Sequence, residues 1–176
     1  MKFLVFKFLS ALFYLTITSL SHAIEPPDIN NIIINKDNKS YENVIFKDVN
    51  NQDINLDDFK NKLVIINFWA TWCAPCKKEM LSLDRLYQDK NFKNLQVFAV
   101  NMEQPNKLKT KKFFTDLNIQ KLEIFFDGNL NFVKQFKLRG VPTTVLINEK
   151  GEEFARILGE INFQDEKFLK WLSKYE

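Results

Sequence analysis

A chain of 176 residues with 25 basic and 22 acidic side chains carries a formal net charge of +3. Because its lysines are interleaved with carboxylates and do not form a patch, it lacks the electrostatic footprint of a nucleic-acid binder. Its one histidine, His22, falls in a segment expected to be cut away; that leaves no imidazole for Ser-His or Cys-His catalysis, and two cysteines cannot complete the four ligands a structural zinc takes, so no metal site is expected.

Met1 to Lys7 is a short basic start, Phe8 to Leu20 is a 13-residue apolar segment and Ser21-His22-Ala23 is a small-x-small cleavage signature. This is the three-part pattern of a secretory signal peptide. The apolar segment is shorter than the roughly 20 residues a bilayer-spanning helix needs, so export is the primary reading and a membrane tether facing the periplasm is the alternative. No cysteine follows that segment to carry a lipid. Removing residues 1–23 leaves 153 residues, enough for one domain with its own core, and takes away Lys2 and Lys7, which lowers the net charge to +1.

Residues 24–40 are polar around Pro26-Pro27 and read as a linker or N-terminal extension, with Ile32-Ile33-Ile34 offering an edge strand. The folded domain is expected over 41–176. Val44 to Lys47 and an extended piece near Ile54 form a hairpin around Asn50-Asn51, since Asn tolerates the left-handed conformation of tight turns. Leu63 to Phe68 is almost continuously apolar, as suits a central parallel strand covered on both faces. From Cys73 to about Asp89 a helix is expected, with Pro75 in its first turn and Met80, Leu83, Leu86 and Tyr87 as its apolar stripe.

Leu95 to Val100 is a second strand. Pro105 to Leu117 reads as a helix opened by Pro105 and carrying Leu108, Phe113, Phe114 and Leu117. Asp127-Gly128 is a turn signal, and a short helix is expected over Asn131 to Phe136. Thr143 to Asn148 and Glu152 to Leu158 make a hairpin closed by Gly151. Asn162 with Asp165 caps a last helix to about Lys174, with Phe168, Leu169, Leu172 and Tyr175 inward. The order β-hairpin, βαβα, ββα predicts an α/β fold with a mixed central sheet, helices on both faces and an N-terminal β-hairpin. Most of the 18 phenylalanines sit beside other core-type residues and are assigned to packing.

Both cysteines lie in Trp72-Cys73-Ala74-Pro75-Cys76, directly after the apolar strand. A disulfide closing a loop this small adds little chain-entropy stabilisation, so reactivity explains the pair better than a structural staple does. Two thiols at a strand-to-helix junction are the minimum equipment for thiol–disulfide exchange.

The run Asn67-Phe68-Trp69-Ala70-Thr71-Trp72-Cys73-Ala74-Pro75-Cys76-Lys77-Lys78-Glu79-Met80, with Gly140-Val141-Pro142-Thr143-Thr144 downstream, resembles the thioredoxin superfamily and, within it, the exported TlpA/ResA-like thiol–disulfide proteins. The resemblance covers about residues 41–175 and implies a thioredoxin-like three-layer sandwich. Cys73 then stands at a helix N-terminus, where unpaired N–H groups and the helix dipole favour thiolate, and is expected to attack; Cys76, almost a turn in and more shielded, resolves the mixed disulfide. Pro142 resembles the superfamily cis-proline, leaving the Val141 backbone open to pair with an extended substrate segment. Trp69 resembles the tryptophan packed under the active site, and Trp72 is assigned to the docking surface. Lys77 and Lys78 are read as a solvated helix face.

Asn67 stands where thioredoxins carry a buried aspartate, as in the TlpA/ResA-like branch. Glu79 matches a family glutamate near the disulfide and is expected to move the proton of Cys76 during resolution; the alternative is a solvated helix glutamate. Asn51 and Asn61 replace frequent family glycines, and Leu81 replaces a proline that kinks the helix in many relatives. Thr143-Thr144 stands where the cytochrome c maturation branch often has Glu-Thr, which weakens an assignment to apocytochrome c reduction.

The resemblance implies a periplasmic oxidoreductase, running in the reducing direction, with protein thiols and disulfides and an upstream electron donor as partners and no cofactor beyond the redox-active disulfide. A disulfide oxidase or isomerase is the alternative, and a non-catalytic binding domain would show unreactive thiols. A peroxidase of the related peroxiredoxin group would need a proline and threonine arranged before its cysteine; Thr71 is too close and no proline precedes it. A metal-delivery protein of similar fold would need a histidine ligand.

Overall fold

An apolar run that does not alternate has to be covered on both faces, and Leu63–Trp69 is buried at all seven positions. The computed structural model describes residues 27–127 and 131–176; the expected export segment, with His22, lies outside them. In chain order the elements are β1 (Ile32–Ser40), β2 (Ile45–Lys47), β3 (Asp53–Asn55), β4 (Leu63–Trp69), α1 (Ala74–Tyr87), β5 (Leu95–Asn101), α2 (Lys107–Asp116), β6 (Ile124–Phe126), α3 (Phe132–Gln135), β7 (Thr143–Ile147), β8 (Glu152–Leu158) and α4 (Glu166–Leu172).

The eight strands form one sheet in the order β1-β8-β7-β4-β5-β6-β2-β3. The β4–β5 and β5–β6 pairs are parallel, while β4–β7 and β7–β8 are antiparallel, so the sheet is mixed as expected. Residues alternate across it. Leu63, Ile65 and Trp69 pack with Met80 and Leu83 of α1, Phe113 and Phe114 of α2 and Phe168 and Trp171 of α4. Val64, Ile66 and Phe68 face the other way, onto Phe46, Phe132 and Phe136. Each large apolar side chain fully withdrawn from water here stabilises the fold by about 1.5–3 kcal/mol, and the phenylalanines are part of this packing: Phe46, Phe68, Phe98, Phe136, Phe163 and Phe168 are completely buried.

Several expectations need correction. The segment expected as a linker with an edge strand forms the whole of β1, paired antiparallel with β8, so the sheet begins at Ile32, ahead of the expected boundary at 41. The strand β6 was not expected: three residues are too few to show a periodicity, yet pairing with β5 and β2 fixes them. Pro105 does not open α2. Asn106 is its N-cap, accepting from the Lys109 N–H at 3.0 Å, and Leu108, on the side of α2 away from Phe113 and Phe114, is 83% exposed. In α4 the N-cap is Asp165 alone, and Trp171, absent from the expected inward face, is buried. A separate short turn over Ser173–Tyr175 finishes the chain.

Asn51 and Asn61 adopt φ of 65° and 69°, the left-handed conformation that glycine supplies more cheaply. Asp48 supports the first of these turns by accepting from the N–H groups of Asn50 and Gln52. The Asp127-Gly128 turn is described only as far as Asp127, which caps α3 through the Phe132 N–H at 2.9 Å.

Candidate active site

The C-terminal ends of β4 and β5 and the start of β7 meet at one edge of the fold, and the redox motif occupies that edge. Trp69 closes β4, and Cys73 is the N-cap of α1 in an extended conformation, with Pro75 in the first turn. Its Sγ accepts a hydrogen bond from the Cys76 N–H at 3.2 Å, so one of the four orphan donors of the helix start points at this sulfur. Cys73 and Cys76 are joined in a disulfide. They are 2% and 0% exposed, whereas Trp72 between them and the strand is 71% exposed.

The Ala70–Trp72 connection is held by a residue that the sequence reading did not single out. Glu103, just past β5, accepts from the Thr71 N–H at 2.5 Å and the Thr71 Oγ1 at 3.0 Å, and from Lys109 Nζ at 2.6 Å. Burial opposes its charge, but the hydrogen bonds from Lys109, Thr71 and Asn101 outweigh burial and bring its carboxyl down to about 2. The signal that could have found it is positional: an acid at the carboxyl end of the parallel strand beside the motif strand is where open α/β sheets place site residues.

Under the motif, Trp69 is fully buried and stacks on Phe113 with ring centroids 4.6 Å apart. Glu79, three residues beyond Cys76, is 1% exposed, which rules out a solvated helix glutamate. Its Oε1 accepts from Asn67 Nδ2 at 2.8 Å and its Oε2 from the Ile161 N–H at 3.3 Å. Burial raises its carboxyl to about 7 despite those bonds, with the Glu160 charge adding to the rise. Glu79 lines a cleft of about 260 Å³ together with Lys78, Ser82, Glu160, Ile161 and Asn162. Asn67 also donates to Thr144 Oγ1 at 2.9 Å, tying α1 to β7. Lys77 and Lys78 lie on the exposed side of α1, Lys78 paired with Glu160 at 3.2 Å.

On β7 the register places Thr143 opposite Phe68, so Pro142 and Val141 lie beside the end of β4 from which the motif loop departs. The Val141–Pro142 bond is cis. Pro142 is buried and its carbonyl accepts from the Gly159 N–H at 3.0 Å. Neither backbone group of Val141 has a backbone partner among the described residues. The structure thus brings Trp72, Cys73, Cys76, Val141 and Pro142 to one edge, with Glu79 beneath it. Among the described residues no group of three or more His, Cys, Asp or Glu side chains is placed to hold a metal ion.

The Redoxin family profile matches residues 27–168. A thiol-disulfide oxidoreductase ResA of Bacillus thuringiensis is 32% identical over 133 residues, covering 75% of this chain and 76% of that protein. The ResA of Halalkalibacterium halodurans is 34% identical over 110 residues, covering 62% of this chain and 61% of that one, just under two thirds of its length. The crystal structure of a DsbF homologue from Corynebacterium diphtheriae superposes with a TM-score of 0.68 over 85% of this chain and 96% of that one, at 21% identity, which speaks for the shared thioredoxin-like fold alone.

Proposed function

This chain belongs to the Redoxin family and, within it, to the ResA-like thiol–disulfide oxidoreductases, and from that premise we propose that it works outside the cytoplasm as a reductant of protein disulfides. The observation that carries the reading is the Cys76 N–H aimed at the Cys73 sulfur at the first turn of α1. A donor fixed there, with the positive end of the helix, stabilises negative charge on that sulfur once the pair is reduced.

In this reading the Cys73 thiolate attacks a substrate disulfide, one sulfur of which leaves as a thiolate, and a mixed disulfide forms. Cys76 then attacks the Cys73 sulfur, the substrate leaves with both its sulfurs reduced, and the chain is left with the Cys73–Cys76 disulfide. Two electrons have passed to the substrate, and an upstream dithiol donor restores the pair. Glu79, sharing the buried side of α1 with Cys76 and titrating near neutrality, takes the Cys76 proton and passes it to the cleft beside Lys78 and Glu160. Trp72 and the free Val141 backbone hold the substrate segment in extended form across the pair, beside Pro142.

Export is supported by the segment 1–23 and by the use of a reactive disulfide, and the same segment left uncut would tether the domain at the membrane. Apocytochrome c is one substrate of the required chemistry, although Thr143 stands where that branch often has glutamate. The test is a trap: Cys76→Ser should strand substrates on Cys73 as mixed disulfides. Trapping of oxidised proteins supports the reading, whereas better trapping by Cys73→Ser would reverse the two roles.

A further inference from the structure

Beside the cis-proline turn a groove of about 320 Å³ is lined by Ile33, Lys137, Arg139, Thr143, Arg156 and Leu158. The registers Ile33 opposite Arg156 and Thr143 opposite Leu158 put four of these on one face of the sheet. Ile33 and Leu158 are 47% and 41% exposed, which gives the groove an apolar floor. Two of its lining residues, Arg139 and Thr143, each stand two positions from Val141 in the chain.

Its charge is one-sided. Arg156 is matched, since its guanidinium binds both Glu153 oxygens at 2.7 and 2.8 Å and the Phe136 carbonyl at 3.0 Å. Lys137 and Arg139 are exposed, and neither has a carboxylate within ion-pair distance among the described residues. Lys39 senses the same field: its ammonium is lowered by burial and further by Arg156 and Lys137, with Glu153 opposing.

Lys137 also sits where a lysine is costly. It is one of five non-glycine residues with positive φ among those described, and the other four, Asn43, Asn51, Asn61 and Asn118, are asparagines. The Leu138 N–H to Val133 carbonyl bond at 2.9 Å fixes this turn. Asparagine or glycine would adopt it at lower cost, so the turn itself does not call for a cation.

We propose that this groove is a specificity site for acidic residues of the substrate, so that the chain prefers extended polypeptides carrying carboxylate and apolar side chains about two to four residues from the target cysteine. This deepens the reading of Cys73 as the attacking thiol and rests on it. The segment that pairs with Val141 continues along the groove, its apolar side chain on Ile33 and Leu158 and its carboxylate between Lys137 and Arg139. Opposite charge across such a surface selects partners and speeds encounter.

The test separates docking from chemistry by using peptides with Ser in place of the target cysteine. Binding of a fluorescein-labelled acidic-apolar peptide to the oxidised chain is compared by anisotropy with its Gln/Asn counterpart. The acidic peptide should bind about tenfold tighter at low ionic strength, lose that margin with added salt, and lose it also in Lys137→Glu/Arg139→Glu. Equal binding of the two peptides would overturn the proposal, as would a preference that survives the charge reversal, or displacement of the acidic peptide by an equal concentration of inorganic phosphate. Exchange of the reduced wild type with 2-hydroxyethyl disulfide is measured alongside. Inert thiols with the peptide preference intact would sink the oxidoreductase reading and leave the acid-selective groove standing.

Discussion

Asn67 Nδ2 lies 2.8 Å from Glu79 Oε1 and donates to it, while Asn67 Oδ1 is buried and accepts nothing among the described residues. An amide has a donor face and an acceptor face. With Glu79 ionised the donor face serves it; with Glu79 protonated, a rotated amide can accept its O–H. Asn67 is therefore suited to both states of a carboxyl that changes state near neutrality.

Replacing Glu79 should expose that titration. A carboxyl raised to about 7 in the folded chain from the ordinary glutamate value of 4.5 favours folding below its unfolded value, and this advantage disappears as pH rises through 7. The cost of holding it ionised above that range is on the order of 3 kcal/mol. Glu79→Gln should flatten the decline of unfolding free energy between these two values, measured by urea titration across pH. It should also remove an inflection near neutrality from the rate at which the mixed disulfide resolves.

Asn67→Asp tests the same pair from the other side. A second buried carboxyl at hydrogen-bond distance cannot ionise together with Glu79, so the pH–rate profile for resolution should move to higher pH and the rate at neutral pH should fall by about tenfold. Stopped-flow reduction of a disulfide peptide reads both. An unmoved profile would remove Glu79 from the proton path.

Glu103 tests how the approach to Cys73 is held. Because its carboxyl is brought from 4.5 to about 2 by its donors, it stabilises the fold above the unfolded value and that contribution is lost as pH falls through the folded one. Glu103→Gln should remove this acid-side slope and, by loosening the loop through Thr71, cost about 1–3 kcal/mol at neutral pH. Thermal unfolding between acid and neutral pH measures it.

The phase of α2 gives a packing test. Leu108→Ser should change stability by less than about 0.5 kcal/mol, because the side chain is 83% exposed. Phe113→Ala, which removes the ring stacked on Trp69, should cost about 3–5 kcal/mol. Equal effects would contradict this packing of α2.

Features with a local cause were legible in the sequence. The unbroken apolar run of β4, the left-handed Asn51 turn and the placement of Cys73 before a helix with Pro75 inside it each follow from a few neighbouring residues. The site residues drawn from the family pattern, Cys73, Cys76, Val141 and Pro142, meet at one edge because β7 pairs directly with β4. What escaped depends on partners far along the chain. Glu103 has meaning only once β5 lies beside β4, and β6 exists because β5 and β2 flank it. Trp171, three residues after Phe168, shares the buried face of α4 with it, and Leu108 lies on the opposite side of α2 from Phe113 and Phe114; the packing of each helix on the sheet decides which of its apolar residues are covered.

In the proposed mechanism Cys73 is an activated thiol and Cys76 a shielded one, and limiting alkylation tells the two apart. The reduced chain is treated with substoichiometric iodoacetamide slightly below neutral pH, and both cysteine positions are quantified by peptide mass spectrometry. Cys73 should be modified rapidly, well ahead of a free thiol under the same conditions, with Cys76 largely untouched. Slow and equal labelling of the two, or labelling of Cys76 first, would contradict it.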